Sequence, residues 1–263
     1  MATFNFAECY SKPGYPYQSS QTRYERGTDV LGEKAGDLTR EDLIDALSDH
    51  YEGTRMHRTA HDNDFYRTIC SRRTVSAMVA HLKPDQPSEM QAMWYCMSSP
   101  CISVFTPVYA NVSEVPDPYL TGEAPEDISN YDEDSAWWVF KKIQLLVDED
   151  YDDLHPTVRA AWDDLYGQGV EELEELEVEL LGLFAEGDRE EAGRMMDSFV
   201  TERLKEAYDR ALNMVQELSG GEEEEPAAVQ DDGGYDKILT MVGVVAISII
   251  ILGGLALYIR RTT

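Results

Sequence analysis

Four cysteines and five histidines carry the nucleophilic and metal-binding chemistry available to this sequence. Cys96 and Cys101 are separated by four residues. No second pair and no histidine at ligand spacing accompanies them, so they make a poor zinc site. They read either as a disulfide across two strands in an oxidising compartment or as two buried thiols. His57 and His61 stand i, i+4 apart without the HExxH pattern, and His50, His81 and His155 add no metal motif. The expectation is therefore no metal and no cofactor. No GxSxG elbow, P-loop or GxGxxG occurs. Asn111-Val112-Ser113 forms a glycosylation sequon, a triplet that chance also produces. Spacing alone thus marks no active site.

Charge excludes one class of function. The chain of 263 residues has 22 basic and 51 acidic side chains, a formal net charge of -29 and a pI of about 4.3. A nonspecific nucleic-acid binder needs a Lys/Arg surplus to neutralise phosphates, so nucleic acid is not an expected partner. All the acids lie at or before Asp236, whereas Lys237, Arg260 and Arg261 follow it. Self-repulsion of this size destabilises a compact state unless salt screens it. The pattern reads as adaptation to concentrated salt in a halophilic organism, against the plainer alternative of an acidic solvating surface.

Several elements must position whatever chemistry exists. Residues 1–36, rich in Gly, Pro, Tyr and Ser, read as irregular. Thr39, followed by Glu41 and Asp42 and by Leu43, Ile44 and Leu47 on one face, predicts an N-capped helix to about His50, ended by Gly53. Apolar runs at 74–82, 93–97 and 102–108 predict a β-meander, with Pro107 at a strand end or sheet edge. Residues 110–130 contain Pro116, Pro118, Gly122 and Pro125 and read as a long loop. Ala136, Trp137, Phe140, Ile143, Gln144 and Val147 recur with helical spacing behind Asp132 and Asp134. Pro156 is placed to open the next helix. Leu173, Leu176, Leu180, Leu181 and Phe184 form an apolar stripe, broken by Gly187-Asp188, before a final helix over 189–217. These two make an antiparallel hairpin with Leu and Met inward and Glu outward.

The end of the chain has its own pattern. Residues 238–259 contain no charge and span about 33 Å as a helix, enough for a hydrocarbon core. Two arginines after the run and one lysine before it place residues 1–236 outside the cell and the C-terminus in the cytoplasm. No signal-peptide h-region is visible in residues 1–20, which leaves a tail-anchored cytoplasmic protein as the other orientation. The preceding stretch, 219–236, is an acidic flexible linker.

The segment Asp49-His50-Tyr51-Glu52-Gly53-Thr54 resembles the DHYEGT segment of the N-terminal-nucleophile cysteine dipeptidases, the dipeptidase A family. These are relatives of penicillin V acylase and bile-salt hydrolase. Further blocks follow in the family's order. Phe4-Asn5-Phe6 with Tyr10 resembles its FNF…Y block. Arg23-Tyr24-Glu25-Arg26 resembles its R-x-W-R block, and Arg67-Thr68-Ile69-Cys70 with Thr74 to Leu82 its R-x-I strand pair. Trp94, Pro100, Phe105, Pro107 and Tyr109 resemble its W…P…F-x-P-x-Y block. Ser135-Ala136-Trp137-Trp138-Phe140 resembles its SAWW-x-F helix. The likeness covers about residues 3–168.

That resemblance implies an α/β (α+β) fold, an incomplete αββα sandwich of the N-terminal-nucleophile hydrolases corresponding to the C-terminal half of such an enzyme. The implied layout is 1–168 as dipeptidase part, 169–218 as helical hairpin, 219–236 as linker and 237–261 as transmembrane helix with basic flank. The implied function is a membrane-anchored cysteine dipeptidase that hydrolyses the peptide bond of dipeptides. In the family the nucleophile is an N-terminal cysteine whose α-amine acts as base. Here it is expected upstream of Met1, and the chain by itself is not expected to cleave peptides. Cys9 lies inside a matched block and does not replace it. Arg23 is the candidate that supports the nucleophile, with a solvated structural arginine as the alternative. Glu52, Gly53 and Thr54 are candidates to line the substrate cleft, against a helix cap and turn. The implied partners are a dipeptide substrate and a lipid bilayer, with homo-oligomerisation left open. A non-catalytic membrane-tethered interaction module, or enzyme remnant, is the alternative function.

Overall fold

A computed structural model describes residues 17–59, 61, 67–121 and 131–220. It divides into two compact units, Met1–Ser71 and Arg72–Thr263. Among the described residues the fold class is mixed, with helices and one small antiparallel sheet. Cys9, the 238–259 run and most of the acidic linker lie outside the described residues. Among the described residues no helix is long and apolar enough to cross a membrane.

Among its described residues the first unit holds two helices, α1 (Tyr17–Gly32) and α2 (Arg40–Leu47). Helix α1 corrects the irregular reading for Tyr17–Gly32, while residues 1–16 lie outside the described residues. Its sequence is polar and its first turn has no acid, so no end signal announces it. It packs close to Ile69, which would lie 3.9 Å from a Cβ at Gly27. Helix α2 starts as expected. The Thr39 hydroxyl accepts from the Asp42 amide and the Asp42 carboxylate accepts from the Thr39 amide, a reciprocal capping box. Hydrogen bonds from Lys34 and Thr39 hold the Asp42 carboxyl down at about 2. The helix ends earlier than its pattern implied, at Leu47 with Ser48 as cap, so Gly53 does not terminate it.

The second unit is built on a β-meander of β1 (Ser76–His81), β2 (Ala92–Met97) and β3 (Thr106–Tyr109), in the order β1-β2-β3. Its register pairs Val79 with Trp94 and Trp94 with Pro107. Proline sits on an edge strand, where its missing N–H costs no interior ladder bond. Strand β2 alternates fully, burying Ala92, Trp94 and Cys96. Cys101 lies in the tight turn Pro100–Ile102. Both cysteines are buried, and no disulfide joins them. Burial pushes the Cys96 thiol up to about 12.

Helices cover this sheet. After a single turn, α3 (Asp117–Leu120), which interrupts the expected long loop, come α4 (Ala136–Glu149), α5 (Tyr151–Glu186) and α6 (Arg189–Leu218). Helix α4 starts at Ala136, with Asp132 and Asp134 ahead of it in a turn closed by the Asp134 amide on Asp132. Helix α5 begins five residues before Pro156 and runs unbroken through residue 168, where the sequence placed a boundary. Pro156 removes one helical bond, to the carbonyl of the exposed Asp152, where water can substitute. Gly187, at φ +85, ends α5, and Asp188 caps α6 through the Glu191 amide. The Arg203–Glu172 ion pair at 3.2 Å spans the resulting hairpin. At Gly169 α5 packs on Pro107 of β3, where a Cβ would lie in ordinary contact at 3.7 Å.

The core contains Trp94, Phe105, Tyr109, Phe140, Ile143, Trp162, Leu180 and Val200. Phe140 stacks on Trp162, whose indole N–H donates to the Ile102 carbonyl at 2.8 Å. Gln144 is fully buried and accepts from Ser98, Ser99 and Lys141. Glu177 departs from the Glu-outward expectation. It is buried, with Lys83 at 2.5 Å and Gln86 at 3.3 Å as partners.

Two outcomes follow from these buried polar groups. Trp162→Phe keeps the ring but orphans the Ile102 carbonyl, and should cost about 1–3 kcal/mol in urea unfolding. Lys141 is buried, and desolvation pulls its ammonium down to about 8, with Asp148 opposing and Arg72 adding to the fall. Between about pH 8 and the ordinary lysine value of about 10.4, the unfolded chain binds the proton and the folded one does not. Stability at this site therefore rises with pH across that window. Wild type should gain about 2 kcal/mol on Lys141→Met between pH 8 and pH 10, and parallel stability curves would refute the assignment.

Candidate functional site

Asp49 follows directly on the cap of α2 and is only 6% exposed. Arg26, on α1, reaches it with a two-pronged contact. Its Nε donates to Oδ1 at 3.0 Å and Oδ2 at 2.9 Å, and its Nη2 donates to Oδ2 at 2.5 Å. The same Nη2 donates to the Glu52 carbonyl at 3.0 Å. Asp49 Oδ1 also accepts from the Tyr51 amide at 2.9 Å, and the Asp49 carbonyl accepts from the Cys70 amide at 3.0 Å. The Asp49 hydrogen bonds hold the Arg26 guanidinium above its usual pKa, against the opposing effect of burial. Such forked pairs fix geometry as well as charge.

Beyond Asp49 the chain makes a constrained loop. Tyr51 has φ +65 and Gly53 has φ +73. Left-handed backbone is natural for glycine and strained for a buried tyrosine. Tyr51 is held there by its amide on Asp49 and by its hydroxyl, which donates to the Arg67 carbonyl at 3.0 Å. The Thr54 hydroxyl donates to the Tyr51 carbonyl at 2.8 Å and accepts from the Met56 amide at 3.1 Å. Glu52 Oε2 accepts from the His50 amide at 2.8 Å.

These contacts place the residues singled out in the sequence. Glu52, Gly53 and Thr54 come together as the exposed crest of a loop whose base is buried. Arg23 does not join them. It is exposed on α1 and makes no hydrogen bond or ion pair with a described residue. The arginine that reaches the loop is Arg26, three residues later in the same Arg23-Tyr24-Glu25-Arg26 block. No local signal distinguished the two, because the partner carboxylate lies 23 residues away. The burial of Asp49 is what requires a cation beside it, and burial is not written in the local sequence.

A second cluster lies behind the loop. His50, His61 and Cys70 are all buried, and one ring nitrogen from each histidine and the Cys70 sulfur lie within 4.8 Å of one another. His61 Nε2 is 3.5 Å from Cys70 Sγ, and the two imidazoles meet edge to face at 4.9 Å. His50 Nδ1 lies 3.0 Å from the Arg58 carbonyl. The Thr68 hydroxyl donates to the Cys70 carbonyl. Two imidazoles and one thiol form a donor set for a soft or borderline metal. Sequence spacing missed it, because 50, 61 and 70 follow no ligand motif.

If the Arg26–Asp49 pair carries the loop, removing one partner strands the other. Arg26→Ala should cost about 2–3 kcal/mol of stability, discounted from the fully buried case because Arg26 is part-exposed. Arg26→Lys should not restore it, since an ammonium lacks the fork. The Arg26→Ala/Asp49→Ala pair should cost less than the sum of its singles, a non-additivity measured by a double-mutant cycle in urea.

Comparison with known proteins adds to this geometry. Over 181 residues, the chain is 25% identical to a protein named probable dipeptidase A from Streptococcus pyogenes serotype M1, covering 66% of this chain and 37% of that protein. A second protein of that name, from serotype M3 (strain SSI-1), is 24% identical over the same length, with 38% of it covered. The chain thus spans a little over a third of the length of the curated relatives it matches. The profile of peptidase family C69 matches residues 14–164, within the 3–168 stretch whose blocks carry the resemblance and across the Asp49–Thr54 loop. With more than half of its 263 residues matched, the chain belongs to peptidase family C69.

Proposed function

We propose that this chain forms part of a cysteine dipeptidase that hydrolyses the peptide bond of dipeptides, with the 49–54 loop on the substrate side of the cleft. The observation that carries this reading is the Arg26–Asp49 fork, which anchors a loop presenting Glu52, Gly53 and Thr54 to solvent. Family membership and the names of the relatives support the reaction class. The fold in this reading is part of an αββα sandwich, to which the meander and its covering helices contribute.

The chemistry is acyl transfer to a thiolate. The cysteine sulfur adds to the peptide carbonyl, the amine leaves with a proton, and water releases the acyl group. The nucleophile in this reading belongs to sequence preceding Met1. Glu52 suits the free α-ammonium that distinguishes a dipeptide from an internal peptide bond. Gly53 allows close backbone approach, and in this reading Arg23, exposed on α1, supports the nucleophile. The 238–259 run anchors the protein in a bilayer, with the acidic part outside.

The protein expressed with its upstream reading frame, in molar salt, should release amino acids from dipeptides and lose that activity on thiol alkylation. Glu52→Gln should raise KM about tenfold while changing kcat little, the signature of lost uniform binding. Arg23→Ala should lower kcat. No hydrolysis by the folded protein, or hydrolysis insensitive to alkylation, would overturn the reading. Recovery of the full chain in the soluble fraction of lysed cells would overturn the anchor.

A further inference from the structure

The His50, His61 and Cys70 cluster has chemistry that dipeptide hydrolysis does not use. We propose that these three side chains bind one zinc-class transition-metal ion, which ties the base of the 49–54 loop to residues 61 and 70. The proposal does not rest on the dipeptidase reading.

Three observations converge on it. The first is donor identity. A thiolate with two imidazoles suits zinc and its neighbours and excludes the oxygen-seeking magnesium and calcium. The second is spacing. Ligand bonds of about 2.3 Å to sulfur and about 2.0–2.1 Å to nitrogen, at a tetrahedral angle, separate the two donors by about 3.5 Å. The His61 Nε2 to Cys70 Sγ distance is 3.5 Å, and the whole set fits within 4.8 Å.

The third observation concerns the groups behind the ligands. His50 Nδ1 lies 3.0 Å from the Arg58 carbonyl, so that nitrogen carries the proton and Nε2 is left as donor. This backbone contact is the usual way a metal-binding imidazole is oriented. Cys70 is held by its amide on the Asp49 carbonyl and by Thr68 on its own carbonyl. The ligands are 1%, 5% and 0% exposed, so the ion would be shielded from bulk water.

A buried thiol resting on one histidine is an ordinary core contact, but it needs neither the second imidazole nor its backbone-oriented ring. Binding replaces the Cys70 sulfur–hydrogen bond with a sulfur–metal bond and releases one proton to solvent. Both histidines bind neutral. The ion would cross-link His50, His61 and Cys70 and close the intervening chain into two loops. That restraint favours the folded loop in proportion to metal concentration over its dissociation constant.

The 51 acidic side chains will collect divalent ions loosely, so total metal content cannot decide the matter. The test is titration of the purified, reduced full chain with Co2+ in excess Mg2+, followed by its thiolate-to-cobalt charge-transfer absorption. One equivalent should produce the band and Zn2+ should displace it. Cys70→Ser should abolish the band, and His61→Ala should weaken binding more than about tenfold. Cys96→Ser should leave it intact. A second measurement needs no variant: Zn2+ should slow alkylation of Cys70, mapped by mass spectrometry, without slowing that of Cys96. Absence of the band at saturating cobalt, its persistence in folded Cys70→Ser, its loss in folded Cys96→Ser, or unchanged Cys70 alkylation would each overturn the proposal.

Discussion

A polar group removed from water must find its partner inside the protein, and the described parts of this chain are arranged around that requirement. Asp49 is the sharpest instance. Its carboxylate is nearly sealed from solvent, and it takes the Arg26 guanidinium and the Tyr51 amide as partners. In doing so it fixes α1 against the segment after α2 and dictates a left-handed tyrosine. The second unit meets the same requirement with a mixture of neutral and charged groups. Gln144 gathers Ser98, Ser99 and Lys141, and Trp162 closes on Ile102, so helices α4 and α5 are each held to the turn between β2 and β3.

Surface charge plays a different part. The ion pairs Arg159–Asp163, Arg194–Glu190 and Lys205–Asp209 are helical neighbours with exposed partners. Each contributes little, and concentrated salt screens them further. Stability in salt then rests on apolar burial beneath an acidic shell. The Lys83–Glu177 contact is unlike these pairs. Glu177 is the acid that turned inward, and it links α5 to the chain after β1.

Rigidity and exposure are divided within the loop itself. Its base is pinned by side-chain and backbone bonds, and its crest at Glu52–Thr54 is open to solvent. A surface of that kind presents groups with little ordering cost when a ligand arrives. Lying behind it, the His50–His61–Cys70 cluster shares its backbone: His50 adjoins Asp49, and the Cys70 amide bonds to the Asp49 carbonyl.

Local patterns determined much of what is seen. β-branched and aromatic runs announced the meander, Thr39 with Asp42 announced the start of α2, and Gly187-Asp188 announced the turn between α5 and α6. The DHYEGT segment marked the loop and the family. Each of these is encoded within a few residues, through side-chain period, capping or backbone preference. Other features had no such code. Helix α1 is polar, with no acid in its first turn and no base in its last, so its local sequence does not announce it. Pro156 sits inside α5 because a long stretch of later contacts outweighs one lost hydrogen bond. Arg26 rather than Arg23 meets Asp49, and residues 50, 61 and 70 converge, because those choices depend on contacts across tens of residues. The sequence alone determined the types of the strongly patterned elements and a family likeness, but not the helices α1 and α3. Which side chains meet was decided by tertiary structure, since burial and partnership are properties of the folded neighbourhood and not of spacing along the chain.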